Sequence, residues 1–285
     1  MNEIIAPGDF ETITYDERDG VAYVTMNRPE VYNAFNYRMQ LELKSVWRSA
    51  RHNDDVRCLV LTGAGDKAFC TGIDRNEAMG HWEDDESQAG RAAVPVGGGG
   101  STPWHFDDPG ENLGPKSNDL WKPVIAAING MACGGAFYIL GEVEFIIAAE
   151  HATFFDPHVT YGMTACFESM HMLQKMPFHE IMRLALLGAR ERMSARRAHE
   201  IGLVSEVVPG GELMQAAEWA ATAIASAPAT AIQGTVRSIW AARELSRRNA
   251  LDVGKILIRV GSDPASLLEG QKSFTSGERI QPRIR

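Results

Sequence analysis

Two short stretches of this chain offer backbone rather than side-chain chemistry. They are KAFCTGID, residues 67–74, and NGMACGGA, residues 129–136. Each reads as a turn that follows a buried strand, where main-chain N–H groups stand bare. In the second, Gly134-Gly135 leads directly into a helix, whose first turn offers unpaired donors and a partial positive charge. The missing Cβ atoms let a ligand oxygen come close. The chemistry that fits is retention of an oxygen as it gains negative charge; a glycine pair before a helix also serves plain tight packing. Side chains that could move protons lie further on. His158 carries an imidazole that titrates near neutrality, and Asp156 or Glu168 could orient it. Tyr138, one helical turn past Gly135, points toward the same region and could donate from its phenol. Each also has a plainer reading: His158 as a hydrogen-bonded structural histidine, Tyr138 as helix packing, Glu168 as a carboxylate complementing a helix dipole.

Several other chemistries find no support. Neither glycine stretch fits GxGxxG or GxxxxGK[ST], so dinucleotide and P-loop phosphate binding are not expected. No HExxH occurs among the eight histidines, and no protein metal site is expected. Cys58, Cys70, Cys133 and Cys166 are scattered without a CxxC, which suits a reducing cytoplasm better than a disulfide framework. The formal net charge of −9 speaks against a nucleic-acid partner. No run reaches the ~18 apolar residues of a membrane span, and MNEIIAPGDF lacks the pattern of a secretory signal.

The elements that must position these groups follow from periodicity. Strands are expected at 11–15 and 21–27, joined at Asp19-Gly20 as a hairpin. Asn36 should cap a helix bearing Met39, Leu43, Val46 and Trp47 on one face. Continuous apolar runs at 58–62 and 124–128 read as buried strands, with shorter strands at 145–148, 153–155 and 204–208. Helices are expected from 76, from the glycine pair to about 141, at 167–175 and 178–187, at 194–201 with Ser194 as cap, and from 212 to about 268. Met163, Met170, Met172 and Met176 read as core packing, since Met170, Phe167 and Leu173 share helical spacing; the sharper option is a flexible apolar wall for a bulky acyl group. Residues 80–118, acidic and then rich in Gly and Pro, read as an insertion, either a lid or a surface loop. The result is an α/β core over 1–208 with a helical appendage over 209–285.

Four strings, NRPEVYNAFN (27–36), LTGAGDKAFCTGID (61–74), KPVIAAINGMACGGAF (122–137) and ARRAHEIGLVSEVVP (195–209), together with EGQKSFTSGE (269–278), resemble the crotonase (enoyl-CoA hydratase/isomerase) superfamily in order and spacing. The resemblance covers nearly the whole chain apart from the insertion. It implies a spiral of ββα turns, a helical C-terminal oligomerisation region, and homotrimers that often pair into hexamers. It implies an acyl-CoA substrate, with coenzyme A entering as part of the substrate and no separate cofactor. The N–H groups of Ile73 and Gly135 would form an oxyanion hole for a thioester enolate, and removal of one such donor typically costs about 10²–10³-fold in rate. The 68–75 stretch, including Ala68, Ile73, Asp74 and Arg75, would line the path of the CoA moiety. Arg28 and Arg279 are candidates for its phosphates, or else solvated surface arginines.

One departure bears on the reaction. The resemblance places the two glutamates of hydratases at Tyr138 and His158, so both carboxylates are absent. Syn addition of water needs a placed acid and base, and a Tyr/His pair supplies them in a different form. Members of the superfamily that cleave β-diketones also use a histidine at the position of His158, paired with an acid nine residues on; here that residue is Phe167, with Glu168 next. Three readings follow: an enoyl-CoA hydratase/isomerase-like enzyme using His158 and Tyr138, a retro-Claisen C–C hydrolase using His158 and Glu168, and a catalytically silent binding protein.

Overall fold

The computed structural model describes residues 4–80, 108–277 and 279–284. The elements run β1 (Ile13–Arg18), β2 (Val21–Met26), α1 (Tyr37–His52), β3 (Cys58–Gly63), β4 (Ala68–Cys70), α2 (Arg75–Gly80), α3 (Gly110–Leu113), β5 (Val124–Ile128), β6 (Met131–Cys133) and α4 (Ala136–Glu142). They continue with β7 (Phe145–Ala149), β8 (Thr153–Phe155), α5 (Phe167–Leu173), α6 (Phe178–Leu187), β9 (Met193–Ser194), α7 (Ala195–Glu200) and β10 (Glu206–Val208). Four helices close the chain: α8 (Leu213–Ala225), α9 (Ala229–Glu244), α10 (Arg247–Gly261) and α11 (Pro264–Thr275).

Among the described residues the strands form two sheets, in the orders β1-β2-β3-β5-β7-β10 and β4-β6-β8-β9. Each passage of the chain lays one strand in the first sheet and the next in the second, as in β3 then β4, β5 then β6, β7 then β8. A helix then returns it to the start. That alternation is the spiral of ββα turns. Strands β2, β3, β5 and β7 pair in parallel, as do β4, β6 and β8. β3 and β5 are buried along their whole length, consistent with their unbroken apolar sequence.

The local signals act as their chemistry dictates. Asp19 and Gly20 both adopt positive φ in the β1–β2 turn. The Asn36 side chain accepts from the Met39 N–H at 2.9 Å, and Ser194 accepts from the Arg197 N–H at 3.2 Å. Met39, Leu43, Val46 and Trp47 are fully enclosed. Helix α8 packs small residues, Ala216, Ala217 and Ala221, on the other face of the first sheet against Val60, Ile125 and Ile147, so the helical end of the chain begins as part of the sheet's packing.

Three expectations need revision. The glycine stretches are not turns throughout: each holds a three-residue strand, β4 or β6, before its turn. Strands this short carry too little pattern to register as period-2 sequence. The methionines divide. Met172 and Met176 are buried, but Met170 is 60% and Met163 42% exposed. Helix α5 turns Glu168 and Met172, four residues apart, inward and leaves Phe167, Met170 and Leu173 outward. The Gly/Pro-rich stretch is not uniformly loop-like either. Residues 81–107, and with them most of the expected lid, lie outside the described residues. From Asp108 onward the chain packs: Leu113 is enclosed, its carbonyl accepts from Trp47 Nε1 at 3.0 Å, and the Asn118 amide donates to the carbonyls of Glu111 and Gly114.

Asn33 ties the first sheet to the start of the second. Fully buried and at φ 55°, it accepts from the Arg28 N–H at 3.0 Å and donates to the carbonyls of Ala64 at 3.0 Å and Ala68 at 2.8 Å. Asn33→Ala strips the Arg28 N–H and the Ala64 carbonyl of this partner, leaves the Ala68 carbonyl to Asn129 alone, and puts alanine in a left-handed backbone position; the expected loss is about 2–4 kcal/mol of unfolding free energy. Urea unfolding measures it; a loss below about 0.5 kcal/mol would show that water replaces the amide at no cost.

Candidate active site

β4 and β6 are parallel neighbours, with Ala68 opposite Met131 and Cys70 opposite Ala132. Their C-terminal ends therefore emerge side by side, carrying Gly72-Ile73 and Gly134-Gly135 into adjacent turns. Gly72 has φ +86°, and a Cβ there would stand 2.9 Å from the Gly135 nitrogen. A Cβ on Gly135 would meet the Phe35 ring at 2.6 Å. Only glycine permits this approach of two backbones.

The outer edge of the first turn is held by Phe35. The Phe35 N–H donates to the Gly72 carbonyl at 2.8 Å, and the Asp74 N–H donates to the Phe35 carbonyl at 2.8 Å. In a parallel bridge of this kind the N–H of the intervening residue, Ile73, points away from its partner. Among the described residues neither the Ile73 nor the Gly135 amide finds an acceptor within the chain. Ile73 is itself exposed, so its amide stands at a surface a ligand can reach.

The side chains gather beside these amides. His158 follows β8, the next strand of the same sheet, and its Cε1 lies 3.5 Å from where a Cβ on Gly134 would sit. Asp156, fully buried, accepts from the His158 Nδ1 at 2.5 Å and from the His158 backbone N–H at 3.0 Å, both on Oδ1. That contact puts the ring proton on Nδ1 and turns Nε2 outward. On that side Glu168 Oε1 lies 3.3 Å away. The Asp156 Oδ2 is buried without a hydrogen-bond partner among the described residues, which leaves His158 as the group that offsets its charge.

Electrostatics follow from this packing. Burial pushes the His158 pKa down, but the hydrogen bond to Asp156 and the charges of Glu168 and Asp156 outweigh it, and the net displacement is upward from 6.5. Burial raises Glu168 from its ordinary carboxylate value, against the opposing pull of the His158 charge. Tyr138 is buried, and burial together with Glu168 and Asp108 pushes its pKa far up. It therefore stays a phenol and donates, with Asp108 Oδ2 at 3.1 Å.

Ile73, Gly135, Tyr138, His158 and Glu168 are thus brought together. Asp108 was not legible: it lies in a Gly/Pro-rich stretch, and its one local sign is the Asp-Pro-Gly turn in which its Oδ1 accepts from the Gly110 N–H at 2.7 Å. The residues named for the CoA path divide. Arg28 is held by Asp74 at 2.8 Å and by the Ala34 carbonyl at 2.8 Å. Arg75 stacks on the Tyr161 ring, 4.4 Å from its centroid, which joins the first turn to the segment bearing His158. Ala68 is buried and its carbonyl accepts from Asn33 and Asn129. Arg279 is exposed beyond α11, and no contact among the described residues brings it to the site. The described residues hold no cluster of three or more metal-ligating side chains and no helix long and apolar enough to cross a membrane.

Comparison with known proteins meets this geometry. The family model described as Enoyl-CoA hydratase/isomerase matches residues 21–252. The chain belongs to the enoyl-CoA hydratase/isomerase family. It is 32% identical over 274 residues to (E)-benzylidenesuccinyl-CoA hydratase of Thauera aromatica, covering 96% of this chain and 98% of that one. It is 32% identical over 260 residues to 1,2-epoxyphenylacetyl-CoA isomerase of Escherichia coli strain K12, covering 90% and 92%. Among solved structures, an enoyl-CoA hydratase/isomerase from Mycobacterium paratuberculosis superposes with a TM-score of 0.79 at 31% identity, over 97% of this chain and 99% of that one. The protein is accordingly an enzyme of the enoyl-CoA hydratase/isomerase family, with a mixed α/β fold and a helical C-terminal region.

The His158–Asp156 contact makes a pH prediction. A histidine pKa raised on folding contributes stability that is fully present below about 6.5, its unfolded value, and is lost as pH rises through the folded value. Asp156→Asn removes the charged acceptor. The histidine pKa, followed by ¹H–¹⁵N NMR of the ring nitrogens, should fall in the variant, and the stability advantage at acidic pH should shrink; an unchanged titration would show that Asp156 does not govern the ring.

Proposed function

We propose that the protein processes an acyl-CoA in the manner of an enoyl-CoA hydratase or isomerase, with His158 in the acid/base role. The amides of Ile73 and Gly135 receive the thioester oxygen, which gains charge as the enolate forms. The His158 Nε2 takes a proton, from water in hydration or from carbon in isomerisation. Asp156 holds the tautomer and stabilises the imidazolium. Glu168, buried and shifted upward by that burial, returns a proton to carbon. Tyr138 donates its phenol proton to Asp108 Oδ2 and closes the site beside this carboxyl. The observation that carries the reading is the placement of the imidazole beside Gly134, next to an amide with no acceptor among the described residues. The names of the two relatives, a CoA-ester hydratase and a CoA-ester isomerase, support the substrate class. Coenzyme A belongs to the substrate, and the turn carrying the exposed Ile73 and Arg75 is where its chain would enter.

A second reading has one observation of its own. The 3.3 Å contact between Glu168 and His158 Nε2 is an acid–histidine pair of the kind retro-Claisen hydrolysis uses. Water activated by His158 would then attack a ketone carbonyl, and the C–C bond would break to an enolate held by the same two amides.

Outward apolar residues on α6 and α10, among them Phe178, Leu186, Ile256 and Ile258, also favour assembly into a homotrimer or a dimer of trimers.

His158→Ala should lower turnover of crotonyl-CoA, followed by loss of its enoyl absorbance, by about 10²–10⁴-fold, while binding of butyryl-CoA is retained. Turnover in wild type that the substitution leaves unchanged would remove His158 from the chemistry. A wild type that binds butyryl-CoA, leaves crotonyl-CoA intact and cleaves a cyclic β-diketone would favour the second reading. One that binds and turns over nothing on either panel would make the fold a binding protein.

A further inference from the structure

A second concave site lies away from the oxyanion turns. The residues discussed above follow the C-terminal ends of β4, β6 and β8. This cavity, of about 320 Å³, opens instead where β5 and β7 begin, between Pro123, Phe145 and helices α8 and α9. Its size is at the lower end of small-ligand pockets. Ile224, Val236 and Ile239 supply apolar wall.

The polar end of the cavity is built around Trp240. The indole Nε1 donates to Glu144 Oε1 at 2.9 Å. Glu144 is saturated: Lys116 Nζ lies at 2.9 and 3.1 Å from its two oxygens, and the Val124 N–H donates to Oε2 at 2.6 Å. Glu142, the other carboxylate close by, takes two hydrogen bonds from Ser117. Two cations remain. Lys175 Nζ is 5.1 Å and Arg243 Cζ 5.6 Å from the Trp240 ring centroid. Lys175 donates to the Val143 carbonyl. Among the described residues neither cation has a carboxylate within salt-bridge distance. Burial, and then the neighbouring Arg243, brings the Lys175 ammonium down to about 8, and burial also lowers Arg243. Lys175, partly buried against apolar wall without a carboxylate partner, is a costly cation, and an anion placed beside it and the more exposed Arg243 offsets that cost.

We propose that this cavity binds an apolar monocarboxylate, a short fatty or arylalkanoic acid in its free form. The carboxylate sits between Lys175 and Arg243, and the hydrocarbon lies against Ile224, Val236 and Ile239. The CoA ester of the same acid has no carboxylate to place between Lys175 and Arg243, so the free acid is the form the site selects. The site shares no residue with the oxyanion turns, so the proposal is independent of the proposed reaction.

The test titrates octanoate into the full-length protein, read by calorimetry and by tryptophan fluorescence. Saturable binding to one site per chain is expected. Arg243→Met and Lys175→Met, each with unchanged circular dichroism, should weaken it by about tenfold or more. 1-Octanol should bind at least as weakly as those variants allow, and saturating butyryl-CoA should leave the octanoate affinity unchanged. The proposal is overturned by any of four results: no saturable binding, equal binding of octanol, undiminished binding in whichever of the two variants folds, or displacement by butyryl-CoA, which would assign octanoate to the oxyanion site.

Discussion

The site depends on the parallel pairing of β4 with β6. Each strand is only three residues long, and neither would persist without the buried strands β3 and β5 that feed them. Their pairing brings two turns to the same end of the second sheet at the same height. Glycine at 72 and 135 then lets the backbones meet without an intervening Cβ. The Phe35 bridge holds the far side of the first turn, so the Ile73 amide is aimed by a hydrogen-bonded frame rather than left free to turn. A donor fixed in this way needs no reorganisation when charge develops in front of it, which is the condition for strong transition-state stabilisation.

The side-chain chemistry rests on the same sheet. β8 is the third strand in line, and Asp156 and His158 follow its end. The chain lacks both glutamates that the family's hydratases place at positions 138 and 158, yet the folded site is rich in carboxyl groups. Glu168 arrives from α5, Asp156 from beneath the histidine and Asp108 from the edge of the sequence insertion. Tyr138 stands where a glutamate would be and is bonded to one carboxylate while touching another. Carboxyl groups are thus present at other positions, and His158 stands between two of them, Asp156 and Glu168. Paired titratable groups pushed in defined directions by burial and by each other are the usual signature of acid/base work.

Much of this could be read from residues alone, and the limits are physical. The apolar runs at 58–62 and 124–128 needed no structure, because a strand buried on both faces shows itself in composition. Asn36 and Ser194 announced helix starts because capping is local. β4 and β6 escaped because three residues give no periodicity, and their pairing is a tertiary event. Met170 misled because helical spacing fixes which residues share a face but not which face turns inward; the buried face of α5 is set by Glu168 and Met172. The ten-residue separation of Glu168 from His158 points to their pairing, whereas Asp108 gives no signal, since its partner lies thirty residues on and its neighbours are turn formers.

The central claim is that the amides of residues 73 and 135 polarise one carbonyl oxygen, and vibrational spectroscopy tests it without turnover. Isotope-edited infrared difference spectra of ¹³C-labelled butyryl-CoA should show the thioester carbonyl stretch moved to clearly lower frequency on binding to the wild-type protein. A bound ligand whose carbonyl absorbs where it does in water would contradict the account, because it would mean that no donor pair is aimed at that oxygen.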